Sequence, residues 1–484
     1  MNSTEYNNIR KAFQQIWGYE DFRPPQEEII RCLLSSQDAL IVMPTGGGKS
    51  ICFQLPALLQ KGITLVVSPL IALMENQVKE LRERNLAAAL LHSQLPKYER
   101  KQTLEAIAKG KLRLLYLSPE TLLSPPVWQQ LSQPFVEING LILDEAHCLV
   151  QWGETFRPAY RRLGAVRRTL LQSKPQKTAI AAFTATADPI FQKIITQTLQ
   201  LKKPQTFLIS PYRNNLHLKI QTIWTPRGRR QEMFKFIQAR DKQGGLVYVR
   251  TRRDSEEIAA WFCSLGYRTA AYHAGLSATQ RRKIESNWLS GKTQFVVCTS
   301  AFGMGINKPD VRWVVHFQIP QFLSEYLQEV GRAGRNGKRA DILTLISEPT
   351  GWFNPEDKQQ WQFLARQWEK QYRIAQQIEK QIPPQGEVEK IGRQFPGGDL
   401  ALALLHSAGK LKWTDPFHYR RCSGNSSPSL GDMGKMQQKW QEQMTQYLKT
   451  KECRWQFLLH GFGFKKEALG FKCGHCDNCT NGVS

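Results

Sequence analysis

This sequence predicts an α/β protein made of two parallel-sheet domains in tandem, then a mostly helical bridge, then a small metal-binding module. Three observations predict it. Short apolar runs alternate with amphipathic stretches through the first 350 residues, the texture changes after that point, and four cysteines gather near the C-terminus. Near-continuous apolar strands separated by helical segments indicate a parallel sheet buried on both faces.

The first set of apolar runs lies at 39–43, 64–67, 112–117, 140–143 and 178–183. A second set lies at 245–249, 269–272, 295–298, 313–317 and 342–346. They place one domain at 1–205 and another at 206–350. Asn354-Pro355-Glu356-Asp357 then opens a helix, with an N-cap, a proline at the first helical position and acids in the first turn. Trp361, Leu364, Ala365, Trp368, Tyr372 and Ala375 follow at helical spacing and read as packing residues, and Pro383-Pro384 ends the run.

The bridge, 351–450, holds a further pattern at 385–422. Val388, Ile391 and Phe395 share one face of a short helix. Asp399 caps a second helix over 400–408, which Gly409 ends. Leu411-Lys412-Trp413 and Phe417-His418-Tyr419-Arg420-Arg421, joined by Thr414-Asp415-Pro416, read as a hairpin. Helix, helix, basic hairpin is the order of a small winged-helix unit. It would touch duplex phosphates through Lys410, Lys412, Arg420 and Arg421; the other reading is a helical spacer packed on the domains before it. Residues 422–434 are rich in Ser, Gly and Pro and read as a loop, and 451–484 form the last module.

Hydrophobic residues make up 41% of the chain, ordinary for a globular protein, but the net charge is +25. Such a surplus attracts polyanions, of which nucleic acid is the commonest. No apolar stretch reaches the roughly 20 residues of a membrane span. The N-terminus has no basic head followed by an apolar run, so a secretory signal is not expected and a cytoplasmic, reducing location is. Cys32, Cys52, Cys148, Cys263, Cys298 and Cys422 are scattered, mostly among apolar residues. Cys453, Cys473, Cys476 and Cys479 lie together, which in a reducing compartment suggests metal rather than disulfides.

Met43-Pro44-Thr45-Gly46-Gly47-Gly48-Lys49-Ser50 follows an apolar strand and opens a helical stretch, the context a phosphate loop requires. Glycines let backbone amides turn toward phosphate oxygens, and the helix N-terminus adds partial positive charge. Lys49 can reach the β- and γ-phosphates of ATP, and Ser50 can ligate Mg²⁺. Met43 stands where the generic motif has glycine. The partner site is Leu141-Ile142-Leu143-Asp144-Glu145-Ala146-His147. Asp144 ends a buried strand, where it can hold Mg²⁺ through water, and Glu145 can orient and deprotonate the attacking water.

Asp144-Glu145-Ala146-His147 together with the Lys49 loop resembles the superfamily 2 helicases, whose two motor domains are RecA-like. Cys148-Leu149-Val150-Gln151-Trp152-Gly153-Glu154-Thr155-Phe156-Arg157-Pro158 resembles the aromatic-rich loop of RecQ helicases. Trp17-Gly18-Tyr19-Glu20-Asp21-Phe22-Arg23-Pro24-Pro25-Gln26 is similar to their adenine-recognition motif, with Pro25 where the family has glycine. That match implies that Tyr19 stacks on the base while Arg23 and Gln26 support the nucleotide. Thr184-Ala185-Thr186 matches the segment that couples the domains, and 301–309 matches a motif linking DNA and nucleotide. Gln328-Glu329-Val330-Gly331-Arg332-Ala333-Gly334-Arg335-Asn336-Gly337 resembles the arginine-bearing motif. The resemblance gives catalytic roles to Lys49, Asp144, Glu145, His147, Gln328, Arg332 and Arg335, the two arginines acting on the γ-phosphate as an arginine finger does. It implies that Trp152, Phe156 and Arg157 sense single-stranded DNA and report to Glu145.

Four thiolates suit tetrahedral Zn²⁺, and RecQ proteins carry a zinc module after the motor domains. An iron–sulfur cluster is the competing reading. Iron–sulfur helicases place their cysteines between the phosphate loop and the Asp-Glu strand, where this sequence has only Cys52, so zinc is expected. The winged-helix and terminal helical modules of longer family members do not follow Cys479 in this sequence. The implied activity is ATP-dependent 3′→5′ unwinding of single-stranded and branched DNA in repair or recombination. A single-stranded-DNA-binding protein and recombination factors are the partners implied, and a monomer is expected. A strand-annealing protein independent of ATP and an RNA helicase are the rival classes.

Overall fold

The computed structural model describes residues 3–150, 157–172, 174, 177–302, 308–422 and 430–480, the side chains from residue 7 onward. The chain divides into two compact units. One comprises Met1–Ile209 and Lys370–Gly434, the other Ser210–Glu369 and Lys435–Ser484.

The first unit is built on a seven-stranded parallel sheet. Its strands are β1 (Ala39–Val42), β2 (Ile63–Val67), β3 (Ala88–Leu91), β4 (Leu114–Leu117), β5 (Ile138–Leu143), β6 (Ala179–Thr184) and β7 (Gln205–Leu208), in the order β3-β4-β2-β5-β6-β1-β7. The central strands β1, β2, β4, β5 and β6 are buried at every position, so their sequences show apolar runs without alternation. The domain boundary expected at 205 falls within this sheet, because Gln205–Leu208 pairs with β1 along its whole length.

The second unit carries a six-stranded parallel sheet. Its strands are β8 (Leu216–Ile223), β9 (Gly245–Tyr248), β10 (Thr269–Tyr272), β11 (Phe295–Cys298), β12 (Trp313–His316) and β13 (Ala340–Ser347), in the order β10-β11-β9-β12-β13-β8. Gly245 allows close approach here. A Cβ on it would run into the ring of Trp313, which is fully buried on the neighbouring strand.

The stretch 351–450 is shared between the two units. Its middle packs within the first as β14 (Gln385–Glu387), helices Val388–Gln394 and Gly398–Ser407, β15 (Leu411–Trp413) and β16 (His418–Arg421). These strands form an antiparallel sheet in the order β14-β16-β15. The helix Gly398–Ser407 buries Ala401 through Leu405, in one cluster with Ala165 of the parallel-sheet domain. The hairpin tip is also anchored there: Arg162 donates to the Pro416 carbonyl (3.3 Å), and Phe417 meets Trp128 edge-on at 5.1 Å.

The C-terminal segment belongs to the core of the second unit. Trp455, Leu458, Phe462 and Cys476 share a cluster with Leu216, Leu218 and Ile342. Strand β8 is the sheet's edge, and this segment covers it. Asp477 accepts from the Ile220 amide (2.9 Å), and Trp455 donates its indole N–H to the Leu216 carbonyl (3.3 Å). An open strand edge is a template for unwanted pairing, and these contacts close it. No helix among the described residues is long and apolar enough to cross a membrane.

Candidate nucleotide site and cysteine cluster

The phosphate loop connects β1 to the helix Lys49–Leu59. Gly48 is its N-cap, with φ +80°, and a side chain there would collide with the Gln26 amide. Met43 explains a second glycine. It is buried, and a Cβ on Gly47 would lie 2.7 Å from its Cγ. With methionine at position 43, a side chain at position 47 would force Met43 to shift. Lys49 Nζ donates to the Met43 carbonyl (3.1 Å), folded against the loop whose phosphates it can bind. Gln77 Nε2 donates to Ser50 Oγ (3.2 Å).

Of the residues expected around the base, Gln26 reaches the same loop. Gln26 donates to the Gly47 carbonyl (3.1 Å) and accepts from the Arg23 amide (3.0 Å), so the change to Pro25 leaves this connection in place. Tyr19 is 52% exposed and leans on Phe13 with ring centroids 5.8 Å apart, which leaves ring surface available for stacking. Arg23 is exposed.

Asp144 and Glu145 stand at the end of β5, beside β2 and β6. Both are buried. Burial and the neighbouring Glu145 charge push the Asp144 carboxyl up to about 7, while Lys49 pulls it down. A carboxylate pair held out of water this way gains from a cation, and Asp144 with Glu145 would suit a Mg²⁺. Glu145 sits in the left-handed region at φ 51°, an uncommon place for a side-chain-bearing residue. Its carboxylate lies 3.2 Å from His147 Nδ1, which also meets Thr184 Oγ1 at 3.2 Å. Burial opposes the His147 charge, but contacts with Cys148 and Glu145 outweigh it and raise His147 to about 10. Thr184 in turn accepts from the Thr186 amide (3.3 Å). The Asp-Glu strand and the Thr-Ala-Thr segment thus form one hydrogen-bonded group.

Of the residues assigned to DNA, Trp152 and Phe156 lie outside the described residues, as does 303–307 of the motif linking DNA and nucleotide. Arg157 is described, and pairs with Glu120 at 3.2 Å. Sequence reasoning missed Gln77 and Tyr160. The Tyr160 hydroxyl donates to the Asp144 carbonyl (3.3 Å), tying the helix Pro158–Arg162 to the end of β5. Neither contact leaves a local spacing signal, because each joins residues brought together only by folding.

In the second unit, Gln328 and Glu329 are buried on the helix Leu323–Val330, and Arg332 is buried just beyond it. Glu329 is held by His316 (3.2 Å) and Arg250 (3.4 Å). Arg332 Nε has no hydrogen-bond partner among the described residues, while its guanidinium interacts with Tyr248 and Glu329. Arg335 Nε donates to the Gly331 carbonyl (3.4 Å).

The sulfur atoms of Cys453, Cys473, Cys476 and Cys479 all lie within 4.8 Å of one another. Ligands about 2.3 Å from a tetrahedral zinc are separated by a little under 4 Å, so the four fit such an ion with small adjustment. Backbone amides already point at the sulfurs: Cys473 N to Cys453 Sγ (3.3 Å), Cys476 N to Cys473 Sγ (3.3 Å) and Arg454 N to Cys476 Sγ (3.4 Å). Mutual contact pushes Cys473 up to about 11, raises Cys476 further and drops Cys453, and a shared cation would relieve this crowding of thiols. His475 turns away, its Nδ1 meeting the Cys473 carbonyl at 2.6 Å.

Two parallel sheets, with a phosphate loop and buried Asp-Glu pair on one and an arginine-bearing helix on the other, define a class: ATP-hydrolysing motors of helicase type. Residues 23–194 match the family model of DEAD/DEAH box helicases, 228–337 the helicase conserved C-terminal domain and 424–480 the RecQ zinc-binding domain. An ATP-dependent DNA helicase RecQ from Synechocystis sp. is 52% identical over 475 residues, covering 98% of each chain. RecQ of Haemophilus influenzae is 38% identical over 341 residues, covering 70% of this chain and 53% of that one. Among solved structures, Saccharomyces cerevisiae Dbp5 bound to RNA and ADP BeF3 matches with a TM-score of 0.59 at 13% identity, covering 72% of this chain and 90% of that one. Mycobacterium smegmatis helicase Lhr bound to ssDNA and AMP-PNP matches at 0.55 and 19%, covering 70% of this chain and 47% of that one. At those identities the likeness shows the fold alone. The chain belongs to the RecQ family of ATP-dependent DNA helicases.

Proposed function

We propose that this chain uses ATP hydrolysis to move 3′→5′ along single-stranded DNA and to open duplexes, branched DNA included, in repair or recombination. The observation that carries the reading is the buried Asp144-Glu145 pair beside an intact phosphate loop, in a chain that matches a RecQ helicase along almost its whole length. Lys49 and the loop amides hold the phosphates, Ser50 and Asp144 hold Mg²⁺, and Glu145 prepares the attacking water. Arg332 and Arg335 stabilise charge on the γ-phosphate, and Gln328 and His147 relay its presence. Trp152, Phe156 and Arg157 contact the single strand and signal through Tyr160 and the short chain path to Glu145. Zinc at the four cysteines is structural. The chain works as a monomer in the cytoplasm on DNA, where a single-stranded-DNA-binding protein is a suitable partner. A comparison of ATPase stimulation by single-stranded DNA and RNA tests the reading. DNA is expected to raise turnover at least tenfold more than RNA; equal stimulation would favour an RNA helicase, and no ATPase at all a strand-annealing protein.

The insert at 385–422 supports a mixed reading, a winged-helix unit that also buttresses the motor. The helix that would otherwise enter a groove is the one buried against the first unit's sheet domain. Lys410 lies 4.0 Å from Glu379, and Arg421 donates to the Ile382 carbonyl. Lys412 and Arg420 remain exposed and directly opposite one another on the hairpin. These two are the cations proposed to touch duplex phosphates. Charge reversal, Lys412→Glu with Arg420→Glu, is expected to weaken duplex binding several-fold and to flatten its salt dependence by about two ion equivalents. Unchanged affinity and salt slope would make the insert a buttress only.

A further inference from the structure

The second unit displays three large aromatic side chains that its core does not use. Trp352 is 86% exposed, Phe353 65% and Trp224 61%. Single exposed hydrophobics are ordinary, but these three are grouped on two segments, with the rings of Trp224 and Phe353 6.3 Å apart at 57°. None lies in the nucleotide site or the cysteine cluster.

The backbone that carries them is built to hold them outward. The carbonyl of Ile223, the residue before Trp224, accepts from the Glu348 amide (3.1 Å) and from the Asn354 side chain (3.3 Å). Both Glu348 and Asn354 are buried. The Glu348 carboxylate ties the intervening turn, accepting from the Thr350 amide (2.6 Å) and hydroxyl (2.5 Å) and from the Phe353 amide (3.0 Å). Those hydrogen bonds hold Glu348 down at about 2, so the tie is charged at all physiological pH. Trp352 donates its amide to Thr350 Oγ1 (3.3 Å). A turn this well fixed carries the rings on an ordered backbone, which loses little conformational entropy when something binds them.

The surrounding charge selects the occupant. The acids beside the turn are engaged internally: Glu348 in the turn, and Glu356 and Asp357 on Arg229 at 3.3 and 3.0 Å. The exposed cations remain. Arg227 follows Trp224 by three positions, and the Lys358 stem lies over Gly351, where a Cβ would be 3.3 Å from its Cδ. Planar apolar faces bordered by cations suit a ligand that is both flat and anionic. Single-stranded nucleic acid meets both requirements, with bases for the rings and phosphates for the cations.

We propose that Trp224, Trp352 and Phe353 form a stacking platform for bases of single-stranded DNA, a contact additional to the motor's grip on the backbone. The choice of DNA over other polyanions rests on the helicase reading. The platform holds a strand by its bases, whereas backbone-tracking contacts are indifferent to whether bases are present.

The test compares binding of the full chain to an oligothymidylate and to an abasic strand of equal length, by fluorescence anisotropy at several salt concentrations. The double variant Trp352→Ala, Phe353→Ala is expected to weaken oligothymidylate binding about tenfold or more, given the usual strength of base–aromatic stacking. Binding of the abasic strand and the salt slope for both ligands should be unchanged, because no charge is removed. Trp352→Phe with Phe353→Tyr should restore most of the difference. The thermal midpoint should not move, since both rings are exposed. An equal effect on the two strands, or none on either, overturns the proposal and leaves these rings to a protein partner or to chance. A parent chain whose ATPase does not respond to DNA would instead overturn the helicase reading.

Discussion

Glu145→Gln and Lys49→Ala are each expected to lower DNA-stimulated ATP hydrolysis by about two orders of magnitude or more. The two act on different parts of one step. Phosphoryl transfer needs little covalent chemistry, so positioning the water and neutralising the growing charge carry the rate. Glu145 is buried at the end of β5 in a left-handed backbone conformation that the surrounding contacts enforce. An amide there keeps the shape and the His147 contact but cannot accept a proton from water. Nucleotide binding should therefore survive in Glu145→Gln, and a steady-state assay beside a nucleotide-affinity measurement separates the effects. Lys49→Ala removes the cation that the loop holds 3.1 Å from the Met43 carbonyl, so both affinity and turnover should fall. Near-normal turnover in either variant would remove that residue from the mechanism.

Freshly purified protein should contain one zinc ion per chain, and Cys476→Ala should lose it and destabilise the second unit by about 4 kcal/mol or more. For a body of this size that is a drop of roughly ten degrees in its unfolding midpoint. The size of the effect follows from where the cluster sits. Cys476 is fully buried in the same cluster as Leu216 and Trp455, and the next residue, Asp477, holds both the Ile220 amide of the edge strand and Arg454 (2.9 Å). Loss of the ion loosens that whole covering. Elemental analysis and thermal unfolding of parent and variant read the two parts separately, and iron, or no metal, in the parent would refute the zinc assignment.

Most of the strands legible in the sequence share one physical property. Strands β1, β2, β4, β5, β6, β9, β11 and β12 are buried on both faces, and an apolar run is what such a position demands. The strands that went unread are edges or lie near them. Strand β7 exposes three of its four residues, β8 buries only three of its eight, and β3 closes the far edge of the first sheet. The phosphate loop, the Asp-Glu pair and the cysteine cluster were legible because each depends on residues close in sequence, so the spacing itself carries the chemistry.

The sequence by itself determined the class of motor, the phosphate loop and the gathering of four cysteines near the C-terminus, since short motifs carry them. Only the tertiary structure decided how the stretch 351–450 is apportioned, for its helices pack partly on one another and partly on residues outside the stretch, such as Ala165 and Phe322. It also decided that the helix Gly398–Ser407 is buried against the first unit's sheet domain, and that Asp477 reaches β8. Such contacts join groups distant in sequence, and the hydrogen bonds that unite them exist only once the packed core has brought the partners together.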